Sequence, residues 1–281
     1  MWLLKIIVKI FLARLPVGYS LWRLFSLYRH GMMDDPSYLF ETTDKHLRRL
    51  FFSKKIEGRS ILELGPGDSI GSAFIINARG GRSTLVDEVP AATLNMSTYE
   101  NIATGLVNLG EVTSKQINSG DDFSSLLHKL DCCYMTDGLE SLRAIQAETF
   151  DGIFSQAVLE HIHRNIYSDV MKELFRISKV GSLSSHRVDL KDHLTGSLNN
   201  LRFSTATWES NLFKRSGFYT NRLRLSEHLN AFKLAGFQVV HTDIDRWKSM
   251  PLRKNNIHAE FSRFSEDELL VSGFNVLLKK L

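Results

Sequence analysis

Residues 61–71 read ILELGPGDSIG, a short apolar run followed directly by a glycine-rich turn. Its first four residues form a short apolar run bounded by turn residues, which is typical of a buried parallel strand. The segment SIGSAFIINARG that follows, residues 69–80, has helical spacing of its apolar side chains and a glycine at its end. Residues 65–71, the glycine loop, therefore join a strand to a helix, which is where ligands bind in open α/β sheets.

The glycine loop fits neither of two common phosphate-binding patterns. The dinucleotide fingerprint Gly-x-Gly-x-x-Gly requires a third glycine at position 70, where this chain has Ile70. The phosphate loop requires Gly-Lys-Ser/Thr, and no lysine is nearby. Glu63, just before the glycines, would repel a pyrophosphate but suits a ligand with a positive end. A nicotinamide oxidoreductase is therefore disfavoured.

Strand and helix patterns alternate along most of the chain. Short apolar segments recur at residues 60–64, 83–87, 131–136, 151–155 and 183–188, and helical segments separate them. Such alternation indicates βαβ units and a parallel sheet. Residues 237–243 and 274–279 read as two closing strands. We divide the chain into a helical arm (1–45), a core (46–195), a helical cap (196–235) and the closing strands (236–281).

Two motifs carry a resemblance to a known family. An acid, one residue and then Gly-x-Gly, here Glu63, Gly65 and Gly67, resembles the first motif of class I S-adenosylmethionine-dependent methyltransferases, of the small-molecule group with the VLEH motif. The usual third glycine of that motif is replaced by Ser69. The segment FDGIFSQAVLEHI, residues 150–162, resembles the family's fourth motif, where a strand ends beside the methyl donor.

The resemblance covers residues 60–162 and implies both a fold and a cofactor. The implied fold is α/β, with a Rossmann-like, mostly parallel seven-stranded sheet, helices on both faces and the seventh strand inserted antiparallel. The implied cofactor is S-adenosylmethionine. The reaction would transfer its methyl group to an O or N atom of a small molecule or of a lipid or glycan precursor. A non-catalytic adenosyl-binding or scaffold protein of the same fold is the alternative.

Acidic residues after the second and third predicted strands extend the candidate cofactor site. Asp87 ends the second strand, where a carboxylate can accept hydrogen bonds from ribose hydroxyls. The resemblance assigns Asp137 to the adenine amino group, although Asp-Gly is also simply a good turn. The predicted cofactor-binding residues are Glu63, Gly65, Pro66, Gly67, Asp87, Asp137, Gly138 and Ser155.

Candidates for a catalytic base follow the fourth and fifth predicted strands. We predict His161, which the family places in its site, and Asp189 and His193 at the end of the fifth strand. The cluster His186, Asp189 and His193 suits acid–base chemistry, and no metal is expected. The structural alternative pairs His186 with backbone or an acid in the sheet. In that alternative, Asp192 caps the next helix.

The predicted cap carries polar residues with two interpretations. Arginine binds carboxylate or phosphate through its planar fork, so Arg222 and Arg224, with Tyr219 and Asn221, could recognise a polar or anionic acceptor. We favour a structural role, in which the two arginines hold the cap to the sheet through acids such as Glu227.

The N-terminal segment of residues 1–33 is apolar and basic, with lysines that interrupt any span long enough to cross a membrane. It is either an amphipathic helix lying on an anionic membrane, or helices that pack on the domain or in a dimer. The two adjacent cysteines indicate a reduced, cytoplasmic protein, which the first interpretation places at the inner face of the membrane. A net charge of +4 gives no reason to expect nucleic acid. The oligomeric state stays open.

Overall fold

The structure is a computed structural model that describes residues 6, 8, 10, 32–53, 55–111, 117–118 and 120–281. Within these residues, seven strands form one sheet. They are β1 (Ser60–Leu64), β2 (Arg82–Val86), β3 (Cys132–Met135), β4 (Phe150–Gln156), β5 (Ser178–Asp189), β6 (Gln238–Arg246) and β7 (Val271–Lys279). Their order across the sheet is β3-β2-β1-β4-β5-β7-β6.

The sheet is mostly parallel, as predicted. Strands β1 to β5 pair in parallel, whereas β7 lies antiparallel between β5 and β6. The strand order reverses between β1 and β4, so a crevice opens beyond the carboxyl end of β1. This topology confirms the α/β fold class and the antiparallel seventh strand. It also places the glycine loop, which follows β1, at the reversal.

Helices cover both faces of the sheet. Successive residues of a strand point to opposite faces. Accordingly, Leu62 and Leu64 of β1 belong to one apolar core, and Ile61 belongs to a second core on the other face. The helices are α1 (Pro36–Phe51), α2 (Ser72–Ala78), α3 (Met96–Asn108), α4 (Phe123–Lys129), α5 (Gly138–Ala144), α6 (Arg164–Ile177), α7 (Thr205–Trp208), α8 (Asn211–Lys214), α9 (Leu225–Ala235) and α10 (Glu266–Leu269).

Helix α1 illustrates how local sequence sets an element. Asp35 is its N-cap, and the Asp35 carboxylate accepts a hydrogen bond from the Tyr38 amide at 2.8 Å. Pro36 follows at the first helical position, where its missing N–H costs no hydrogen bond. The helix buries Leu39, Leu47 and Leu50 in the second core, which also contains Ile61 of β1 and the apolar residues of α2.

The predicted cap contains the short helices α7 and α8 and a small apolar cluster of its own. This cap cluster is formed by Ile6, Leu194, Trp208, Phe213, Phe218 and Tyr219, with Ile10 and Phe203 packed against it. Ile6 and Ile10 therefore pack on the cap, as the packing interpretation of the arm expects at these two positions. Val8 is exposed, and the other residues of the arm up to residue 31 lie outside the described residues. Each helix in the described part of the chain is too short or too polar to span a lipid bilayer.

Candidate functional site

Two glycines of the loop after β1 have backbone conformations that other residues rarely adopt. Gly65 has φ of 71° and Gly67 has φ of 70°, both in the left-handed region. The Gly65 amide donates to the Val86 carbonyl at 2.8 Å, which fixes the loop to the end of β2. A Cβ on Gly65 would lie 2.4 Å from Cγ2 of Val158. The site therefore requires bare backbone at this point.

The glycine loop is also held by the segment before α1. The Ser69 hydroxyl donates to the Met33 carbonyl at 2.5 Å. A Cβ on Gly71 would lie 2.5 Å from Cδ2 of Leu39 in α1. Ser69 thus links the glycine loop to the segment before α1 through its hydroxyl.

Glu63 lies beneath the loop. It is 1% exposed, and its carboxylate accepts a hydrogen bond from the hydroxyl of Ser72, the first residue of α2. Burial raises the pKa of Glu63 to about 7; the Ser72 hydrogen bond lowers that pKa and the charge of Asp87 raises it further. The residue thus ties β1 to the start of α2 from the inside.

Asp87 joins the ends of three strands. Its carboxylate accepts hydrogen bonds from the amides of Gly67 at 3.3 Å and Glu88 at 2.8 Å. Its backbone carbonyl accepts from the Gly138 amide at 2.9 Å. Asp137 precedes α5 and is exposed, and its side chain makes no capping hydrogen bond. The structure therefore brings together the predicted residues that follow β1, β2 and β3; Pro66 is buried within the same loop.

Ser155 is a residue of β4, a central strand of the sheet. It is fully buried, and its hydroxyl is 2.8 Å from Nδ1 of His186 on the neighbouring β5. Burial, with a smaller contribution from His46, lowers the pKa of His186 to about 3. The partner of His186 is thus a hydroxyl, which corrects the expected backbone or acidic partner. Ser155 pairs in register with Leu64, the residue before the glycine loop, and its hydroxyl is turned toward His186.

A different cluster forms at the carboxyl ends of β4 and β5. Glu160, His161 and His193 each place one ligand-type atom within 4.8 Å of the others. The rings of the two histidines have centroids 4.7 Å apart. The structure thus brings two of the predicted bases, His161 and His193, together with Glu160. Of the predicted cluster His186, Asp189 and His193, only His193 belongs to it. Sequence reasoning missed Glu160, although it is the acid of the LEH segment.

His161 has a defined tautomer when neutral. Its Nδ1 lies 3.0 Å from the backbone carbonyl of Tyr219. A carbonyl only accepts hydrogen bonds, so Nδ1 carries the proton and Nε2 carries the lone pair. The cap residue therefore orients the ring, and Nε2 is the nitrogen that can accept a proton or bind a cation.

Glu160 and Asp189 are neighbours with different surroundings. Glu160 is 1% exposed, and burial raises its pKa to about 8, with a further upward contribution from the Asp189 charge. Oε1 of Glu160 accepts from the Asp189 amide at 3.1 Å. The Asp189 carboxylate accepts from the Lys191 amide at 3.0 Å and pairs with the Lys191 ammonium at 3.6 Å. Asp189 therefore lies beside the cluster.

Asp192 has a structural role, but the N-cap of the next helix is Leu198 and not Asp192, which corrects the alternative interpretation. Its carboxylate is 3% exposed and accepts from the amides of Leu194 at 2.9 Å, Thr195 at 2.6 Å and Asn199 at 2.7 Å. These bonds shape the turn that leads into the 3-10 helix Asn199–Arg202.

The two cap arginines bind backbone carbonyls. Arg224 is 1% exposed and donates to the carbonyls of Leu190 at 3.3 Å and Val271 at 2.6 Å. Arg222 donates to the Phe203 carbonyl at 2.7 Å and lies over the Trp208 ring. The structural role is as we favoured, but neither guanidinium pairs with Glu227, because that carboxylate pairs with Arg164 and Arg263.

The other two predicted recognition residues of the cap are also engaged inside the protein. The Tyr219 hydroxyl donates to the Glu209 carboxylate at 3.1 Å. The Asn221 amide group donates to the Leu159 carbonyl at 2.7 Å. Asn221 thus fastens the cap to the segment after β4, which carries Glu160 and His161.

A cavity of about 570 Å³ lies at the opposite, amino-terminal edge of the sheet. It is lined by the starts of β1, β2 and β3, including Ser60, Arg82 and Cys132. Burial raises the pKa of the Cys132 thiol to about 12, which keeps the thiol protonated at neutral pH. Volume alone does not make this cavity the site, because ligands of open α/β sheets bind at the carboxyl ends of the strands.

No protein-family model and no curated protein matches the chain. Similar solved structures include the 4+2 cyclase SpnF (12% identity, 85% of this chain and 80% of that chain, TM-score 0.47). Haemonchus contortus phosphoethanolamine N-methyltransferase 2 with S-adenosyl-L-methionine has 14% identity over 86% of this chain and 52% of that chain, with a TM-score of 0.46. An S-adenosylmethionine-dependent methyltransferase from Mesorhizobium loti has 11% identity over 86% and 97%, with a TM-score of 0.44. The structural neighbours thus include S-adenosylmethionine-dependent methyltransferases, but similarity at this level says nothing about this chain's own ligand.

Proposed function

We propose that the chain is a class I S-adenosylmethionine-dependent methyltransferase. The observation that carries the proposal is the bond between the Gly67 amide and the Asp87 carboxylate at the strand-order reversal. It joins the glycine loop after β1 to the carboxylate after β2. Both lie at the carboxyl ends of the strands, where the reversal of strand order opens a crevice for ligands. A nucleoside fits such a pair, with its ribose hydroxyls on the carboxylate.

The residues present fit an adenosyl ligand with a positive charge better than a phosphorylated one. Gly65 and Gly67 both have positive φ, and the Gly65 backbone packs so closely on Val158 that a Cβ would lie 2.4 Å from Cγ2 of that residue. The surrounding side chains are acidic: Glu63 beneath the loop, Asp87 beside it and Asp137 after β3. Like charges would oppose a pyrophosphate here, whereas a sulfonium and an amino group would be attracted.

When bound, the cofactor supplies a methyl group activated by a sulfonium. The chain's own contribution is mainly to hold the acceptor in line, which can supply about 7–11 kcal/mol of the barrier. A base supplies roughly 10²–10⁴-fold, or about 3–5 kcal/mol. His161 is suited to this second role because the Tyr219 carbonyl accepts from Nδ1, which fixes the tautomer whose lone pair is on Nε2.

The methyl acceptor is proposed by its chemical class. We propose an O or N atom of a small molecule or of a lipid or glycan precursor. The basic, apolar segment of residues 1–33 supports the lipid-linked source, and Ile6 packed on the cap supports the soluble one. Sedimentation with anionic liposomes, with and without residues 1–33, distinguishes the two sources, because only a membrane-binding arm makes sedimentation depend on that segment.

Calorimetry with S-adenosylmethionine, S-adenosylhomocysteine and NAD tests the cofactor. We expect saturable binding of the first two and none of NAD; no affinity for either adenosyl ligand would refute the proposal. Incubation of the protein with cell extract and methyl-labelled S-adenosylmethionine, followed by mass spectrometry, then tests transfer. Binding without a labelled product would instead support the non-catalytic adenosyl-binding protein.

A further inference from the structure

We propose that Glu160, His161 and His193 form a binding site for one divalent transition-metal cation. The three ligand-type atoms lie within 4.8 Å of one another at the carboxyl ends of β4 and β5. Two histidines and one carboxylate are a common ligand set for such cations, with further positions left open for water or substrate.

An unsatisfied carboxylate oxygen gives independent support. Glu160 is 1% exposed, and its Oε1 accepts a hydrogen bond from the Asp189 amide. Its Oε2 is buried and has no hydrogen-bond partner among the described residues. A buried carboxylate oxygen left without a partner is costly, and a bound cation would satisfy it.

The hydrogen bond at Nδ1 of His161 is of the kind that metal-ligating histidines make. Ligating histidines usually donate their other ring N–H to a carboxylate or a backbone carbonyl, which fixes the tautomer and the ring orientation. The Tyr219 carbonyl accepts from Nδ1 of His161 at 3.0 Å. Nε2 of His161 is therefore the nitrogen presented for coordination.

Closing the site requires only a small movement of one side chain. Two ligands at about 2.1 Å from one ion can be at most about 4.2 Å apart. A pair at the 4.8 Å limit must therefore approach slightly. His193 is exposed, so it can make this adjustment, whereas Glu160 is fixed by its surroundings.

A cation at this site would change the chemistry of the proposed reaction. As a Lewis acid it lowers the pKa of a bound hydroxyl, so an acceptor hydroxyl could lose its proton without a histidine base. This consequence rests on the proposed function, but metal binding itself does not.

The test is titration of the EDTA-treated, dialysed full chain with Co²⁺, followed by visible absorption, and with Zn²⁺, followed by calorimetry. We expect one saturable site per chain. Glu160→Gln and His193→Ala should each weaken binding by at least about 10–100-fold, the loss typical when support for a metal ligand is removed. Circular dichroism and thermal melts check that both variants fold.

His241→Ala is the matched control, because His241 is also exposed and lies 2.6 Å from a carboxylate, that of Asp243. It should bind as the wild type does. Asp87→Ala, which is aimed at the adenosyl ligand, should also keep Co²⁺ binding, so failure of the cofactor proposal and of the metal proposal are distinguishable. No saturable binding up to millimolar Co²⁺, binding unaffected by both site variants, or binding lost in His241→Ala would each overturn the metal proposal.

Discussion

The amide of Gly67 donates to Oδ2 of Asp87 at 3.3 Å, while the Glu88 amide donates to Oδ1 at 2.8 Å. An ionised carboxylate offers about four acceptor positions and is the kind of group that ribose hydroxyls bind. The same residue therefore shapes the glycine loop and presents acceptors beside it. Loop geometry and ligand recognition are linked through one side chain.

Asp87→Ala should weaken S-adenosylmethionine binding by roughly 10²-fold or more. The variant loses hydrogen bonds to a charged group, each contributing about 1.5–3 kcal/mol, and releases the loop amide of Gly67. Calorimetry measures the affinity. Asp169→Ala is the control, because Asp169 is an acid of α6 that takes part in exposed ion pairs and is not one of the predicted cofactor-binding residues. Equal affinities for wild type and Asp87→Ala would remove Asp87 from the site.

Gly65→Ala should destabilise the fold by roughly 1–3 kcal/mol more than Gly181→Ala, the cost typical of overpacking. Both glycines have positive φ, 71° and 80°, so both variants bear the same left-handed strain. They differ in the space for a Cβ: at Gly65 it would collide with Val158, whereas at Gly181 it would meet nothing within 4 Å. Urea unfolding gives the difference.

Removing the obstructing side chain tests that explanation. In a Val158→Ala background, the added Cβ at Gly65 no longer meets the Cγ atoms at 2.4 and 2.8 Å. The extra cost of Gly65→Ala should then shrink. If the cost is the same in both backgrounds, the contact with Val158 is not its cause.

Arg224→Met should destabilise the fold by about 3–5 kcal/mol, because it leaves buried carbonyls, including those of Leu190 and Val271, without their donor. Arg263→Met, which removes an exposed ion pair with Glu227, should change stability by less than about 1 kcal/mol. Thermal and urea unfolding check both. A stable Arg224→Met protein with a raised KM for its acceptor would return Arg224 to substrate recognition.

The fold was predictable because its signals are local. The apolar run before Gly65 and the glycine at the helix end repeat a strand–loop–helix pattern that depends on near neighbours. The antiparallel position of β7 between β5 and β6 came only from the resemblance, since strand order depends on contacts between distant segments.

The site was predictable only where strand ends and motif positions fix it. Asp87 and Asp137 lie together because parallel strands end at one edge. Ser155 and His186 also lie near strand ends, but residue alternation and register turn them toward each other inside the sheet. Glu160 follows β4 and His193 follows β5, so their proximity depends on the packing of two separate loops. No periodicity in the sequence predicts such a contact.

His46 should make the protein less stable as the pH falls. Its ring is buried between Ser185 and Gln156, and burial lowers its pKa to about 4 from about 6.5. Between these two values the unfolded chain binds a proton that the folded chain does not. Stability is therefore lost as the pH falls from about 6.5 toward 4, by about 2 kcal/mol between pH 7 and pH 5.

His46→Gln removes this contribution, so the difference in unfolding free energy between wild type and variant should shrink by that amount from pH 7 to pH 5. Phe154→Leu is the control, because it loses the stacking contact with the His46 ring, 5.1 Å between centroids, but keeps the titrating group. Its cost should be similar at both pH values. A pH-independent cost of His46→Gln would contradict the assignment.

Ile6→Asp should destabilise the protein by about 2–4 kcal/mol, since it replaces apolar burial with an unpaired charge. Ile6 is 3% exposed and belongs to the cap cluster with Trp208 and Phe213. Val8, two residues on, is 43% exposed, so Val8→Asp should change stability by less than about 0.5 kcal/mol. Urea unfolding of both variants without lipid decides whether the arm packs on the cap. If Ile6→Asp is as stable as Val8→Asp, the packing of Ile6 contributes nothing to the free energy of unfolding. If Ile6→Asp then also loses binding to liposomes, the arm binds the membrane instead.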